Sequence, residues 1–299
     1  NVHALCAEHR ADADRLWVGT YTGGVYRLAS NGIRRYTTDD GLYDNSSYAI
    51  CQDKQGQLWV ASMTGLCRYD ERADRFIAVK ELDGVTVSMA TDAAGRLWVA
   101  TQGGGLYRFD GKTWKQYQHR NDTTSLSDNE LNSVVMARDG RLWVATQNGL
   151  CLYRPKTDDF LRVMSGTVSS IVEDDKGDGL WLGTEEGVVK FSSPNTKQRI
   201  IFTREDGLVS TQFCPDACFR DSHGYIYFGT TIGYSRFLPS HIRTNHQPPR
   251  VYITGLEVFN RTIHVGDELM KEALRDRGQL SLSFSDRMFS LQYAALCYV

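Results

Sequence analysis

Short stretches of alternating apolar and polar residues recur along this chain: SSYAICQD, TVSMATD, LNSVVMA, VSSIVED and FCPDACFRD. A period of two is the pattern of a half-buried strand. A polar turn carrying Asp and Gly follows, as in Asp53 with Gly56, Asp92 with Gly95 and Asp221 with Gly224. Asp favours the start of such a turn and Gly supplies the positive φ that closes a hairpin. A more apolar segment comes next, in six versions: LWVGTYTGGVYRL from Leu16, LWVASMTGLCRY from Leu58, LWVATQGGGLYRF from Leu97, LWVATQNGLCLY from Leu142, LWLGTEEGVVKF from Leu180 and IYFGTTIGYSRF from Ile226. These are strands rich in aromatic and β-branched residues, broken by a second glycine turn. A more polar strand ends the unit in DRFIAVK, KTWKQYQ, DDFLRVM and KQRIIFT.

The anchoring aromatics are Trp17, Trp59, Trp98, Trp143, Trp181 and Tyr227, spaced 42, 39, 45, 38 and 46 residues apart. Four short antiparallel strands on a period near forty predict an all-β chain whose repeats are the blades of a β-propeller. The repeated Trp reads as core, filling the wedge between neighbouring sheets. From 241 the period breaks. Pro239, Pro248 and Pro249 mark a linker, and RVYITGLEVF, QLSLSF and FSLQYAAL alternate like sandwich strands. The expected organisation is a propeller over 1–240, a proline-containing linker over 241–250 and, over 251–299, the beginning of an immunoglobulin-like β-sandwich that is incomplete within this chain.

Composition narrows the function without naming it. A formal net charge of −2 with no Lys/Arg cluster argues against a nucleic-acid surface. No run of eighteen apolar residues suggests a membrane span. Cys67 and Cys151 share one repeat position with Tyr26, Tyr107, Val189 and Ser235, a packing site. Cys214 and Cys218 are the only close cysteine pair, and whether they are bridged is left open, as is the compartment.

Catalytic motifs are lacking: there is no GxSxG, P-loop, HExxH or CxxC. The seven histidines show no metal-ligand spacing. Adjacent acids such as Asp39-Asp40 and Asp158-Asp159 do not suit glycoside hydrolysis, which needs carboxylates facing each other across a cleft. No catalytic residue, metal ligand or cofactor is expected. The crossovers between blades are more informative. YTTDDGLYDNSSY (36–48) and FTREDGLVSTQF (202–213) share the pattern aromatic-Thr-x-x-Asp-Gly-Leu, and YQHRNDTTSLSDNELN (117–132) is a diverged version. In a propeller such crossovers rim the channel mouth with the second-to-third strand turns. These loops carry Tyr21, Tyr43, Asn45, Tyr48, Gln102, Asn129, Asn132, Gln147, Gln212 and Phe213 as candidate ligand contacts. Amides and phenols with few formal charges suit a neutral, hydroxyl-rich ligand.

The unit DGLYDNSSYAICQDKQGQLWVASMTGLCRYD, residues 40–70, resembles the two-component regulator propeller repeat. The tail PPRVYITGLEVFNRTI…LSLSFSDRMFSLQYAALCYV resembles the start of the three-tyrosine β-sandwich that follows such propellers. In that order they resemble the periplasmic sensor region of hybrid two-component systems. The resemblance implies a seven-bladed ring, of which six repeats are counted here. It also implies an oligosaccharide ligand released from a polysaccharide, a homodimer formed through the sandwich, and a position at the periplasmic face of the inner membrane. The membrane tether, kinase and DNA-binding parts would lie outside this chain. Two other readings compete with this one: a propeller enzyme (polysaccharide lyase or glycosidase), which predicts a charged cluster in the channel, and a protein-interaction scaffold, which predicts an exposed apolar patch.

Overall fold

The computed structural model describes residues 1–8, 14–82, 84–174, 179–192, 199–242, 250–264, 282–284 and 287–296. The chain divides into two compact units, Asn1–His241 and Ile242–Val299. Most of the expected linker, 243–249, and the first half of the QLSLSF stretch, 279–281, lie outside the described residues.

Among the described residues the first unit contains six antiparallel sheets in chain order, over residues 2–36, 47–79, 85–117, 131–164, 168–202 and 213–237. Blades one to five have four strands each. Among the described residues blade six has three, Phe213–Arg220, Ile226–Thr230 and Gly233–Phe237, against the four expected. The first strands of successive blades (Val2–Glu8, Ser47–Gln52, Val85–Thr91, Leu131–Met136, Val168–Glu173 and Phe213–Arg220) pack side by side and are therefore the inner strands.

The five repeat-anchoring tryptophans fill the wedges, each no more than 3% exposed. Each meets an aromatic on the third strand of the next blade: Trp17 with Tyr69, Trp59 with Phe109, Trp98 with Tyr153, Trp143 with Phe191 and Trp181 with Phe237, at centroid separations of 4.9, 5.7, 4.7, 5.8 and 4.9 Å. The turn aspartates do a second job that the sequence pattern does not announce. Trp59 and Trp98 donate their indole N–H to Asp53 and Asp92 at 2.8 and 3.0 Å, and the Tyr227 hydroxyl donates to Asp221 at 3.0 Å. Trp17 uses Glu8 instead, at 2.9 Å.

Two interfaces carry a further polar clamp. Between blades one and two, Arg27 donates to the Tyr69 hydroxyl and the Asp74 carboxylate, which also accepts from Tyr36 and Tyr69 and pairs with Arg34. Between blades three and four, Arg108, Tyr117, Tyr153 and Asp158 repeat the arrangement, with Lys115 in place of Arg34. Asp74 and Asp158 both adopt positive φ, 47° and 55°. Burial alone would raise the Asp158 carboxyl. Its bonds to Lys115, Tyr117 and Tyr153 and the Arg108 charge overcome that and hold it well below the ordinary carboxylate range.

The described residues of the second unit form a three-stranded antiparallel sheet, Arg261–Ile263, Arg250–Val258 and Phe289–Leu296 in that order. Leu256 and Val258 are its buried residues among those described. Among the described residues no helix is long and apolar enough to cross a membrane. Cys214 and Cys218 are both free thiols.

Candidate functional site

Local chemistry shapes the crossover loops. In the first, Thr37 caps a short 3-10 turn: its hydroxyl accepts from Asp39 N, and the Asp40 carboxylate accepts from Thr37 N at 3.0 Å. Gly41 then takes φ 92°, so that Leu42 N reaches back to Thr37 O. The fifth crossover repeats this with Thr203, Asp206 and Gly207 at φ 98°. The shared Thr-x-x-Asp-Gly motif is thus a capping box closed by a left-handed glycine. In the third crossover Asp122 replaces it, its carboxylate accepting from Thr124 N and Ser125 N at 2.9 and 2.7 Å.

Main-chain bonds join these crossovers to the second-to-third strand turns. Gly24 N donates to Asn45 O, Met63 N to Ser46 O, Gly103 N and Gly105 N to Asn129 O, and Gln147 N to Glu130 O. Each of these crossovers is therefore stitched to a turn of a blade it connects, and both loop sets form one rim. At this rim opens a cavity of about 670 Å³. Its wall combines Val2, His3, Tyr48, Met63, Val85 and Gln102 with the inner strands of blades one, two, three and six.

The ten candidate contacts separate into groups. Tyr48 and Gln102 line the cavity. Tyr21 stands beside it: the His3 ring lies 5.4 Å from Tyr21 and 5.6 Å from Tyr48. Asn45 and Asn129 brace their own loops, the side-chain oxygens accepting from Thr38 N at 3.2 Å and His119 N at 2.7 Å. Asn132 is 1% exposed, donates to Val168 O at 2.8 Å and accepts from Gln147 Nε2 at 3.2 Å. Tyr43 lies over Gly65, where an added Cβ would meet its ring at 2.7 Å. Phe213 is buried against Gly183 and Phe228, while Gln212 is exposed. Tyr43, Asn45, Asn129, Asn132, Gln147, Gln212 and Phe213 are not part of the cavity wall.

The wall also holds residues the sequence pattern did not single out. Inner strand six bulges at Cys214–Ala217, and Asp216 takes φ 54° within it. Its carboxylate accepts from the Ser133 hydroxyl at 2.6 Å, reaching from blade six to blade four. Burial pushes this carboxyl up to about 6, against the Ser133 and Ser88 hydroxyls, which favour the anion. Nothing local in FCPDACFRD signals the bulge; it shows only in the register with Ile226–Thr230. Burial likewise raises the Tyr48 hydroxyl, keeping it a neutral donor and acceptor. Among the described residues no group of three metal-ligating side chains converges.

A family model for the two component regulator propeller matches residues 44–64, 125–148 and 163–186. A curated relative, histidine kinase P4 of Formosa agariphila, is 33% identical over 308 aligned positions, covering 94% of this chain and 22% of the relative, so the chain spans about a fifth of that protein's length. Among solved structures, the extracellular domain assigned to hybrid two component system BT3049 of B. thetaiotaomicron aligns with 98% of this chain and 46% of its own, with a TM-score of 0.61 and 22% identity. Virginiamycin B lyase of Staphylococcus aureus aligns over 81% of this chain and 82% of its own, with a TM-score of 0.61 and 13% identity. These two likenesses establish the propeller fold.

Proposed function

We propose, for a chain that carries two-component regulator propeller repeats, that it is the extracytoplasmic ligand-sensing part of a hybrid two-component sensor kinase. Its ligand in this reading is an oligosaccharide cut from a polysaccharide. The observation that carries the reading is the rim cavity. At about 670 Å³ it falls within the range of small-ligand sites. Its wall pairs rings suited to stacking on a sugar face (Tyr48, His3) with an amide, Gln102, suited to hydroxyls. The domain would stand at the periplasmic face of the inner membrane. The second unit would pass the signal through a homodimer toward a tether in another part of a longer protein. Such a device works only if the ligand binds one of two states more tightly, as a rim of mutually bonded loops allows.

The chain itself acts without catalysis in this proposal. The likeness to a lyase favours an enzyme reading, but the cavity wall offers one carboxylate, Asp216, where glycoside hydrolysis takes two. Calorimetry against a panel of neutral oligosaccharides tests the proposal. Tyr48→Ala and Gln102→Ala should each weaken the binding ligand, the amide by about 0.5–1.5 kcal/mol for its hydrogen bond. Unchanged affinity in both variants, or turnover of the bound glycan, refutes it.

A further inference from the structure

The clamp that joins blades one to two and three to four is opened between blades two and three, and we propose that the opened socket binds a carboxylate carried on a hydroxylated ring. Arg68 occupies the clamp arginine's place: it pairs with Trp59 as Arg27 pairs with Trp17 and Arg108 with Trp98. Its clamp partners have been removed: the phenol and the carboxylate that accept from the arginine, and the second phenol whose ring lies against it. Where Tyr36 and Tyr117 stand opposite Val25 and Leu106, blade two has Val79 opposite Leu66. Where Tyr69 and Tyr153 stand, blade three has Phe109, which lacks the hydroxyl. The corresponding turn of blade three holds Asp110, whose carboxylate is taken by Lys112 N, Thr113 N and the Thr113 hydroxyl. Among the described residues Arg68 makes no hydrogen bond or ion pair, and it is exposed.

The space vacated is a cavity of about 680 Å³. Arg68 shares its wall with Trp59, Phe109 and Trp114, the last two stacked at 4.8 Å and 27°. Gln55 and Lys112 add donors, while the Gln57 amide is spent on Leu58 O and Tyr69 O. Of the wall's carboxylates, Asp53 is engaged by its own turn and by Trp59, Asp110 by its own turn, and Glu81 is exposed. First-to-second and third-to-fourth strand turns build this socket, at the opposite blade ends from the rim, so it is separate from the oligosaccharide cavity.

The two filled clamps show what an arginine at this position takes: phenol hydroxyls and a carboxylate, packed on aromatic rings. A small acid whose carboxylate and hydroxyls sit on one ring supplies the same set. The guanidinium offers a paired fork to the carboxylate, and the aromatic wall covers the ring. Two sources share that chemistry, a sugar acid and a hydroxylated aromatic acid.

Calorimetry on the chain with glucuronate and 4-hydroxybenzoate, using glucose as the neutral control, tests the assignment. One acid should bind saturably and the other more weakly, which identifies the source, with glucose weaker than both. Arg68→Gln, on an exposed residue, should weaken the preferred acid at least about tenfold, the loss of one charge-assisted hydrogen bond. Val79→Tyr combined with Phe109→Tyr returns the two phenols to the socket and fills it, and should abolish binding without lowering the melting midpoint. The assignment is overturned if neither acid binds saturably, if Arg68→Gln binds as well as the parent, or if the folded double variant retains affinity.

Discussion

Replacing Trp98 and Trp143 in turn by Phe separates the packing role of the blade tryptophan from its hydrogen bond. Both are buried to within 1% exposure and occupy the same repeat position. Trp98 donates to Asp92, itself 4% exposed, at 3.0 Å. Repeat four has Ala137 where repeat three has Asp92, and the Trp143 indole N–H is buried without a partner. The ring volume removed is the same, so the cavity cost largely cancels in the comparison. Trp98→Phe additionally loses a hydrogen bond to a charged group, about 1.5–3 kcal/mol. Trp143→Phe removes an unsatisfied buried donor, relieving about 1–3 kcal/mol. Allowing for relaxation of Asp92 onto Arg96, the first variant should be less stable than the second by about 2–4 kcal/mol. At roughly 2–4 °C per kcal/mol the midpoints should differ by about 5–15 °C. Thermal unfolding followed by near-ultraviolet circular dichroism reads this directly. Equal midpoints, or a lower one for Trp143→Phe, refute the reasoning.

Three further outcomes are expected. Gly41→Ala should destabilise far more than Gly207→Ala, because both strain a positive φ by about 1–2 kcal/mol but an added Cβ at 41 would meet Phe76 O at 2.1 Å and at 207 meets nothing within 4 Å; comparable urea midpoints would contradict this. Asp216 has its folded pKa raised to about 6, so its contribution is fully present below the unfolded value near 3.9 and is lost as pH rises through 6; stability should climb from pH 7 to pH 5, Asp216→Asn should remove the climb, and an unchanged slope would sink the account. Asp158, held low by its clamp, has the opposite sign: its contribution is present above about pH 3.9 and fades as pH falls further, so Asp158→Asn should lose stability at pH 7 and converge with the parent in acid, as equilibrium unfolding across pH would show.

The blades were legible because their determinants are local. Alternation, Asp-Gly turns and the anchoring Trp all lie within a few residues of one another, and the capping box of 37–41 is written in consecutive letters. The rim was legible as topology but not as individual contacts. Asn45 and Asn129 read as ligand amides, yet their side-chain oxygens close their own loops on Thr38 and His119. Asn132 sits where loop meets strand, and burial gave its amide to Val168 O. Asp216 reaches Ser133 across 83 positions through a bulge that depends on its partner strand's register. The clamps do leave a signal in the sequence. Arg and Tyr nine apart, followed by Tyr and Asp five apart, occur as 27, 36, 69, 74 and again as 108, 117, 153, 158. That pattern spans two repeats, so inspecting repeats singly conceals it.

The alternation of filled and open clamps gives the ring a mechanical grain. Blades one and two are riveted by one half-buried ionic cluster and blades three and four by another, while between two and three there is a hollow. A propeller strained from outside yields where its stiffness is least, so this seam concentrates deformation while the riveted pairs move as blocks. Amide protons along Arg75–Val79 should exchange ahead of those in Asp159–Met164, although both are outer strands, of blades two and four of one propeller.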